Sequence, residues 1–377
     1  MRSNRPAHFA KTTTMAALSL PLALVLLAGG AAYAQQGSKS SGATITLRIG
    51  GPHTPESAPW VKLLQEMFIR DVKARAGERG GHKVEFTEAW GGSVAKISEV
   101  VAAVQGRILD VGYVTVPAEA SKLPLHNFNY WLPFGPSDPM QAYRATQAVY
   151  EEFPVLRQTF ETKYGQRVLG LSTIQDYGLV STFPITSLGD LKGRKVGGIG
   201  PNLDYVRFVG GVPVTAGIPD MYLNIQTRVM DGYIIIPQAV VGGKMWEVAK
   251  YWNVTQFGSL SPHVLTVNLD TWKSLPQGVQ SAMVEAGSAW SEALAKRAHE
   301  SEGAGLKSWQ ANGGSVVQLP PAVREQWAAL FPADYVAERA KKVDAMGLPG
   351  TQVVGAYLKH LTAAGYKPPR NWSLSSK

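Results

Sequence analysis

The chain has 377 residues, and its 37 lysine and arginine residues outnumber 28 aspartate and glutamate residues, for a net charge of +9. It contains no cysteine, so it can neither form a disulfide nor carry the cysteine-linked lipid of a bacterial lipoprotein. Its basic residues never form a run of five or six, which argues against a nucleic-acid-binding surface. The length suits one large or two ordinary domains.

The first 34 residues have the pattern of a secretory signal peptide. Arg2, Arg5 and Lys11 precede the apolar stretch Met15 to Leu27, and small residues follow up to Ala32-Tyr33-Ala34. A membrane anchor would need about 18 uninterrupted apolar residues, whereas a proline and two glycines interrupt this segment. We therefore predict cleavage after residue 34, residues 35–43 as a flexible leader, and export to the periplasm without a lipid anchor.

Strand and helix patterns alternate after the leader. The predicted elements are a strand at Thr44 to Ile49, a helix from Thr54 or Ser57 to the glycines at Gly77 to Gly81, a strand around Val84 and Phe86, a helix around Ile97 to Val104, and a strand at Leu109 to Val116. This β-α-β-α-β order predicts a sheet with helices packed on both faces.

A long helical pattern, Pro139 to Tyr164, leads into a second α/β unit. We predict strands at Val168 to Ser172, Lys195 to Gly197, Tyr233 to Ile236 and Val264 to Asn268, and helices at Pro201 to Val209, Ala216 to Val229, Gln277 to Ala311, Ala322 to Leu330 and Tyr335 to Met346. The fold class is therefore α/β with two lobes.

Ligands of open α/β sheets lie beyond the carboxyl ends of the strands. The candidate binding residues at and near these ends are His53, Trp90, Ser93, Thr115, Trp131, Phe134, Gln175, Asp176, Tyr177, Gly197, Gly198, Asn202, Tyr233, Ile235 and Pro237. None of the common catalytic motifs is present, neither G-x-S-x-G, H-E-x-x-H nor a P-loop. We therefore expect no enzyme activity, no cofactor and no metal.

Several candidates have two readings. His53 either touches the ligand or is an exposed or capping loop residue, and Asp176 either acts in the site or caps a turn. The aromatic residues Trp90, Trp131 and Tyr177 either pack between the lobes or line a mostly apolar pocket.

The stretch KVGGIGPN, Lys195 to Asn202, places three glycines before a helix. Free N–H groups at a helix start bind anions, so a carboxylate held by the amides of Gly198 to Asn202 is our preferred interpretation. A close-packed turn without a ligand is the alternative. A dinucleotide site is disfavoured, because the third glycine and the later acidic residue are missing.

Three segments resemble the receptors of tripartite ATP-independent periplasmic (TRAP) transporters, in the dicarboxylate-receptor family. LGDLKGRKVGG (Leu188 to Gly198) is similar to the family's "DLKGlKiRvp", MYLNIQTRVMDG (Met221 to Gly232) to "vYtALQtGvvDG", and GGKMWEVAKYW (Gly242 to Trp252) to "mKFYEVqkyl". The order and spacing also agree. The resemblance extends over nearly the whole mature chain and is weaker before residue 134 and after residue 318.

The resemblance implies a periplasmic two-lobed receptor with a long connecting helix that closes around one small organic acid. Its partners would be a small and a large integral membrane subunit. We assign residues 44–172 to the first lobe, with 258–315 returning to it, and 173–257 to the second lobe, with 316–377 bracing it. A receptor of an ATP-driven importer or of a sensor kinase is the alternative.

The chain departs from the family where the ligand carboxylate is usually held. Gly197 aligns with the arginine of "KiRvp", and Ile235 lies where "DGqeNp" has a polar residue. Two buried charges without partners would be costly, so we expect dicarboxylates to bind poorly. A monocarboxylate with an apolar or aromatic body is the preferred ligand class, and a neutral, hydroxylated or amide ligand is the alternative.

Overall fold

The computed structural model describes residues 43–374, with the side chain of Glu302 excepted. The predicted signal peptide, its cleavage site and nearly all of the leader lie outside the described residues. Within residues 43–374, no helix combines the length and the apolar character needed to cross a membrane.

Five strands form the first sheet. Numbered along the chain, they are β1 (Ile45–Gly50), β2 (Val84–Ala89), β3 (Val111–Thr115), β4 (Gln166–Ser172) and β10 (His263–Asn268), in the order β2-β1-β3-β10-β4. Strand β1 is parallel to β2 and β3, whereas β10 is antiparallel to both of its neighbours, β3 and β4. A segment from late in the chain is thus inserted into a sheet built from early ones.

Six shorter strands form the second sheet. They are β5 (Gly178–Ser181), β6 (Lys195–Gly198), β7 (Val212–Thr215), β8 (Gly232–Ile235), β9 (Tyr251–Val254) and β11 (Ser315–Gln318), in the order β11-β9-β5-β8-β6-β7. Strands β6, β7 and β8 are parallel, and β5 is antiparallel to both β8 and β9. The two sheets and their helices confirm the predicted two-lobed α/β fold.

Helices cover both sheets. They are α1 (Pro59–Leu63), α2 (Arg70–Glu78), α3 (Val100–Gln105), α4 (Pro139–Glu152), α5 (Val155–Gln158), α6 (Asn202–Phe208), α7 (Met221–Gln226), α8 (Pro237–Gly242), α9 (Leu269–Ser274), α10 (Gln277–Ala311), α11 (Pro321–Ala329), α12 (Tyr335–Asp344) and α13 (Gly350–Ala363). Two π-helical turns, Leu64–Ile69 and Thr159–Lys163, continue α1 into α2 and follow α5. Short 3₁₀ turns occur at Val116–Glu119, Leu125–Trp131, Leu188–Leu191, Ile218–Asp220 and Met245–Glu247.

The predicted long helix is α10, a single helix of 35 residues. It packs against α2, α4 and β4 on the side of the first sheet. It also packs against α8, which follows strand β8 of the second sheet. Two glycines permit the close approach to β4: a Cβ on Gly287 would lie 2.3 Å from the Leu169 carbonyl oxygen, and one on Gly170 would lie 2.7 Å from Ser291 Oγ. The helix therefore braces both halves of the molecule.

Some predicted elements differ in the structure. The helix expected at Pro139 to Tyr164 is broken, because α4 ends at Glu152 and Pro154 cannot donate a backbone hydrogen bond. The helix expected at Ala216 to Val229 is reduced to a 3₁₀ turn and the short α7. Strands β5, β7, β9 and β11, of four residues each, and helix α13 were not predicted.

The C-terminal helices contact α6, which follows strand β6 of the second sheet, and also helices associated with the first sheet. Tyr335 donates a hydrogen bond to Asp204 on α6 (2.7 Å), Arg339 forms an ion pair with the same carboxylate, and Trp327 Nε1 donates to the carbonyl of Tyr205 (2.9 Å). Helix α13, in contrast, packs against α4 and the turn Leu125–Trp131. The C-terminal segment thus links the α6 region to the helices after the first sheet.

Candidate functional site

A cavity lies between the strand ends of the two sheets. The space between its side chains, including its opening to solvent, measures about 480 Å³. Its lining is His53, Trp60, Thr115, Pro117, Tyr130, Ile174, Tyr177, Ile199, Asn202, Ile218, Tyr233, Ile234, Ile235, Ile236, Pro262 and His263. Few of these residues are polar, which is typical of a small-molecule site.

One side of the cavity, called the polar wall here, consists of His53, Trp60, Thr115 and His263. Thr115 ends β3 and lies directly opposite His263, the first residue of the antiparallel β10. The His263 ring is stacked between Tyr113 (4.7 Å between ring centroids) and Trp60 (5.4 Å). His53 lies edge-on to the same ring at 5.9 Å. These contacts hold each ring in a fixed orientation.

The opposite side, called the aliphatic wall here, consists of Ile199, Ile218, Ile234, Ile235 and Ile236. The last three come from the end of β8 and the residue after it, and all three are buried. Tyr233 precedes them and donates a hydrogen bond from its hydroxyl to the Ala216 carbonyl (2.6 Å). This wall offers a ligand surface for apolar contact and little hydrogen bonding.

Two phenols and an amide lie between the walls. The hydroxyls of Tyr130 and Tyr177 are 3.2 Å apart, and the Asn202 side chain lies beside Tyr177. Burial raises the pKa of both phenols, so both stay protonated at neutral pH. They can donate to, or accept from, a ligand without carrying charge.

The cavity is uncharged at neutral pH. No lysine, arginine, aspartate or glutamate among the described residues lines it. Burial lowers the pKa of His53 to about 4, and burial together with the neighbouring His53 lowers that of His263 well below its usual value. Thr115 Oγ1 is buried and makes no hydrogen bond within the described residues, so its hydroxyl can pair with a ligand.

The glycine turn of KVGGIGPN is closely packed. The backbone N–H groups of Asn202, Leu203 and Asp204 already donate to the carbonyls three residues earlier, at 3.3, 3.2 and 3.0 Å. At Gly197 a Cβ would lie 2.4 Å from Met230 Sδ and 2.5 Å from the Tyr233 ring. Of the amides from Gly198 to Asn202 that the sequence analysis proposed as a carboxylate cradle, that of Asn202 is thus used within the turn, and the cradle stays a prediction.

The cavity brings together six of the residues that the sequence analysis selected. They are His53, Thr115, Tyr177, Asn202, Tyr233 and Ile235. Four of them, Thr115, Asn202, Tyr233 and Ile235, lie in a strand or start the helix that follows one. This agrees with the expectation that ligands lie beyond the carboxyl ends of strands, called the strand-end rule here.

The other candidates lie outside the lining. Trp90 donates to Glu88 (2.6 Å), Ser93 donates to the Trp90 carbonyl (2.9 Å), and Trp131 is buried. Phe134 packs edge-on against Tyr205, Phe257, Trp327 and Phe331.

Four further candidates have structural partners instead. Gln175 accepts from the backbone N–H of Gln238 (3.0 Å), and Asp176 accepts from that of Gly258 (2.7 Å). Gly198 lies against Leu203, and Pro237 lines a separate small cavity beside Trp252. Asp176 therefore joins its loop to a segment 82 residues later in the chain.

Trp60 and His263, both on the polar wall, were missed from the sequence. Trp60 lies in a helix, for which the strand-end rule predicts nothing. His263 begins a strand, but β10 is antiparallel to β3, so its first residue lies at the same edge as the last residue of β3. Only the strand direction, which the sequence did not reveal, could have identified it.

Comparison with known proteins identifies the family. Residues 51–341 match the sequence profile of bacterial extracellular solute-binding protein, family 7 (DctP).

Solved structures share the fold. A Bordetella pertussis extracytoplasmic solute receptor that binds pyroglutamic acid is 23% identical, with a TM-score of 0.71 over 83% of this chain and 99% of that one. A TRAP periplasmic solute-binding protein of Desulfovibrio salexigens is 19% identical (TM-score 0.71; 85% and 97% covered). One from a Sulfitobacter species with bound β-D-galacturonate is 20% identical (TM-score 0.65; 83% and 99% covered).

Proposed function

Because the chain belongs to the bacterial extracellular solute-binding proteins of family 7, which are receptors and not enzymes, we propose that it is the solute receptor of a TRAP transporter. In this role it binds a small organic molecule in the periplasm and delivers it to the small and large membrane subunits. The observation that carries the proposal is the uncharged cavity between the ends of the two sheets.

The lobes are proposed to close around the ligand. Residues 44–172 and 258–315 contain all five strands of the first sheet, and residues 173–257 contain five of the six strands of the second. Since residues of both sheets line the cavity, one ligand can contact both lobes. Such a ligand stabilises the closed state relative to the open one, which gives a membrane partner a loaded form to recognise.

The bound part of the ligand is proposed to be uncharged, with an apolar or aromatic body. An ionised group buried without a partner costs several kcal/mol, and the described lining offers no formal charge. The aliphatic wall can instead contribute about 25 cal/mol per Å² of apolar surface that it buries. A carbonyl, hydroxyl or amide group would meet the polar wall.

A monocarboxylate with the same body is the second candidate. Two of the three solved neighbours named above bind pyroglutamic acid and a uronate, respectively, both of which are acids. Neutral donors such as Thr115 and Tyr177 could partner one carboxylate, because a hydrogen bond to a charged group contributes about 1.5 to 3 kcal/mol. A second carboxylate would meet no cation in the described lining.

A thermal-shift panel tests the ligand class, because ligand binding raises the melting temperature. The panel pairs benzamide with benzoate and adds succinate, malate and glucuronate. We expect the amide to stabilise the protein at least as well as the acid, and the dicarboxylates to have no effect. Stabilisation by succinate or malate but by neither aromatic compound would refute the proposal, and benzoate alone would favour the second candidate.

Export and transport need separate tests. The mature protein recovered from the periplasm should begin at Gln35 and carry no lipid, which its intact mass would show. Deleting the gene should abolish uptake of the ligand, and uptake should persist when ATP is depleted but the membrane ion gradient is maintained. Uptake that stops with ATP would favour an ATP-driven importer, and an unchanged uptake with a lost transcriptional response would favour a sensor kinase.

A further inference from the structure

Three side chains of the first sheet form one row across neighbouring strands. His263 on β10 lies directly opposite Thr115 on β3 and directly opposite Ser172 on β4. Residues paired in this way project from the same face of a sheet. Tyr113 lies two residues before Thr115 and therefore projects from that face as well.

Hydrogen bonds connect three residues of this face, Tyr113, Ser172 and His263. The Tyr113 hydroxyl donates to Ser172 Oγ (3.0 Å), and Ser172 Oγ lies 3.1 Å from His263 Nδ1. Because Ser172 Oγ accepts from Tyr113, its own hydrogen is available for Nδ1. A neutral histidine whose Nδ1 accepts a hydrogen bond carries its hydrogen on Nε2.

The packing around His263 determines which part of the ring faces the cavity. Tyr113 and Trp60 cover its two faces, and Ser172 occupies the Nδ1 side. His263 lines the cavity, and the Nε2 edge is the part of its ring that these three contacts leave uncovered, with His53 perpendicular to the ring at 5.9 Å. The neighbouring Thr115 Oγ1 makes no hydrogen bond within residues 43–374.

We propose that His263 Nε2–H and the Thr115 hydroxyl together bind an acceptor oxygen of the ligand, a carbonyl oxygen in a neutral ligand, and that Ser172 is a positioning residue that selects the donating tautomer of His263. The inference deepens the proposed function, since it depends on the cavity being the ligand site. It specifies that every good ligand presents an oxygen acceptor to the polar wall and its apolar body to the aliphatic wall.

Nitrogen NMR of the ligand-free protein tests the tautomer without any ligand. In ¹⁵N-labelled protein at neutral pH, we expect His263 to show a protonated Nε2 and an unprotonated Nδ1. Ser172→Ala should remove this preference and give a mixture. Ser291→Ala is the matched control, because Ser291 is also a buried serine and bonds the backbone of Leu171 beside Ser172. A protonated Nδ1 in the unsubstituted protein would overturn the proposal.

A pair of isosteric probes tests the acceptor. Acetophenone and α-methylstyrene differ in a C=O or C=CH₂ group, so their affinity ratio, measured by calorimetry, reports on the carbonyl oxygen. We expect acetophenone to bind more tightly, and Ser172→Ala or Thr115→Val to weaken it about three- to tenfold, as expected for one lost hydrogen bond. Both substitutions should therefore lower the ratio of acetophenone affinity to α-methylstyrene affinity, and Ser291→Ala should leave this ratio unchanged.

The outcomes separate this inference from the proposed function. Equal affinities for the two probes would overturn the acceptor site and leave the receptor proposal standing. If neither probe nor any aromatic member of the thermal-shift panel binds, the proposed ligand class fails and the acceptor site fails with it, whatever the nitrogen signals show.

Discussion

The two walls of the cavity are both built from strand ends but differ in chemistry: one offers hydrogen-bonding groups and the other offers apolar surface. The polar wall uses the ends of β3 and β10 to hold a hydroxyl and two imidazoles among aromatic rings. The aliphatic wall uses the end of β8 and adjoining turns to present five isoleucines. For the ligand proposed above, the difference predicts one orientation, with the polar end toward the first sheet and the apolar body toward the second.

The largest expected effect comes from placing a cation in the second sheet, which supplies the aliphatic wall. Gly197→Arg restores the arginine that the family resemblance implies, but the Tyr233 ring and Met230 occupy the space. We expect a loss of about 3 kcal/mol or more in the free energy of unfolding, from overpacking and from burying a charge without a partner. Urea denaturation measures it.

Gly77→Ala is the control for that substitution. A Cβ on Gly77 meets nothing within 4 Å, and the residue lies in helix α2. Alanine there should stabilise the protein by about 0.5 to 1 kcal/mol. If Gly197→Arg leaves stability unchanged and produces tight succinate binding, the space beside Gly197 can still hold the arginine that the family resemblance implies.

Acid should lower the free energy of unfolding through the polar wall, because that wall contains buried histidines and the aliphatic wall contains only isoleucines. The pKa of His53 is about 4 in the folded protein, below the value of about 6.5 in the unfolded chain. The unfolded state therefore binds more protons between these values, so stability is complete above about pH 6.5 and falls as the pH drops toward 4. The loss for one such histidine is about 2 to 3 kcal/mol.

Urea denaturation at about pH 7 and pH 4.5 checks this dependence. A His53→Gln variant should lose less stability between the two conditions than the unsubstituted protein. His126, which is buried away from the cavity and whose pKa burial also lowers to about 4, should contribute a similar loss that the variant keeps. An identical pH dependence with and without His53 would contradict the burial argument.

Two tryptophans distinguish wall from core. Trp60 stacks on His263 and lines the cavity, whereas Trp131 is buried outside the lining. We expect Trp60→Leu to weaken binding of the best aromatic probe by about 1 to 2 kcal/mol. Trp131→Leu should instead lower stability and leave the affinity unchanged in calorimetry. The reverse pattern would return Trp131 to the site, where the sequence analysis had put it.

The smallest effect should come from the phenols between the walls. Tyr177→Phe removes the hydroxyl that lies 3.2 Å from that of Tyr130. We expect affinity for benzamide to fall by about 0.5 to 1.5 kcal/mol, one neutral hydrogen bond. Tyr251→Phe, on β9 and outside the cavity, is the control and should have no effect. A larger loss would show that the pair orders the ligand site as a unit.

More of the fold than of the candidate site could be predicted from the sequence. Strands such as β1 and β3 and the long α10 follow from periodic patterns, because burial of one face repeats along many residues. All six strands of the second sheet have four residues. The sequence predicts β6 and β8, whereas β7, which contains Pro213, and β9, which contains Asn253, have no continuous apolar run. Their pairing depends on neighbours that are distant in the chain.

Within the site, the strand-end rule finds Thr115 and Ile235, since both come from strands whose carboxyl ends reach the cavity. It cannot find His263, whose place depends on the direction of β10. Nor can it tell that the space beside Gly197 holds the Tyr233 ring, because that contact joins two separate strands.

The position of β10 also has a consequence for the order of assembly. This strand is the fourth of five in the first sheet, between β3 and β4, yet it begins at residue 263, about a hundred residues after the start of β4. A chain that enters the periplasm N-terminus first can pair β1 with β2 and β3, but β4 has no partner in the sheet until β10 arrives. A chain that ends before residue 263 lacks β10 and with it His263, so it cannot form the polar wall of the cavity.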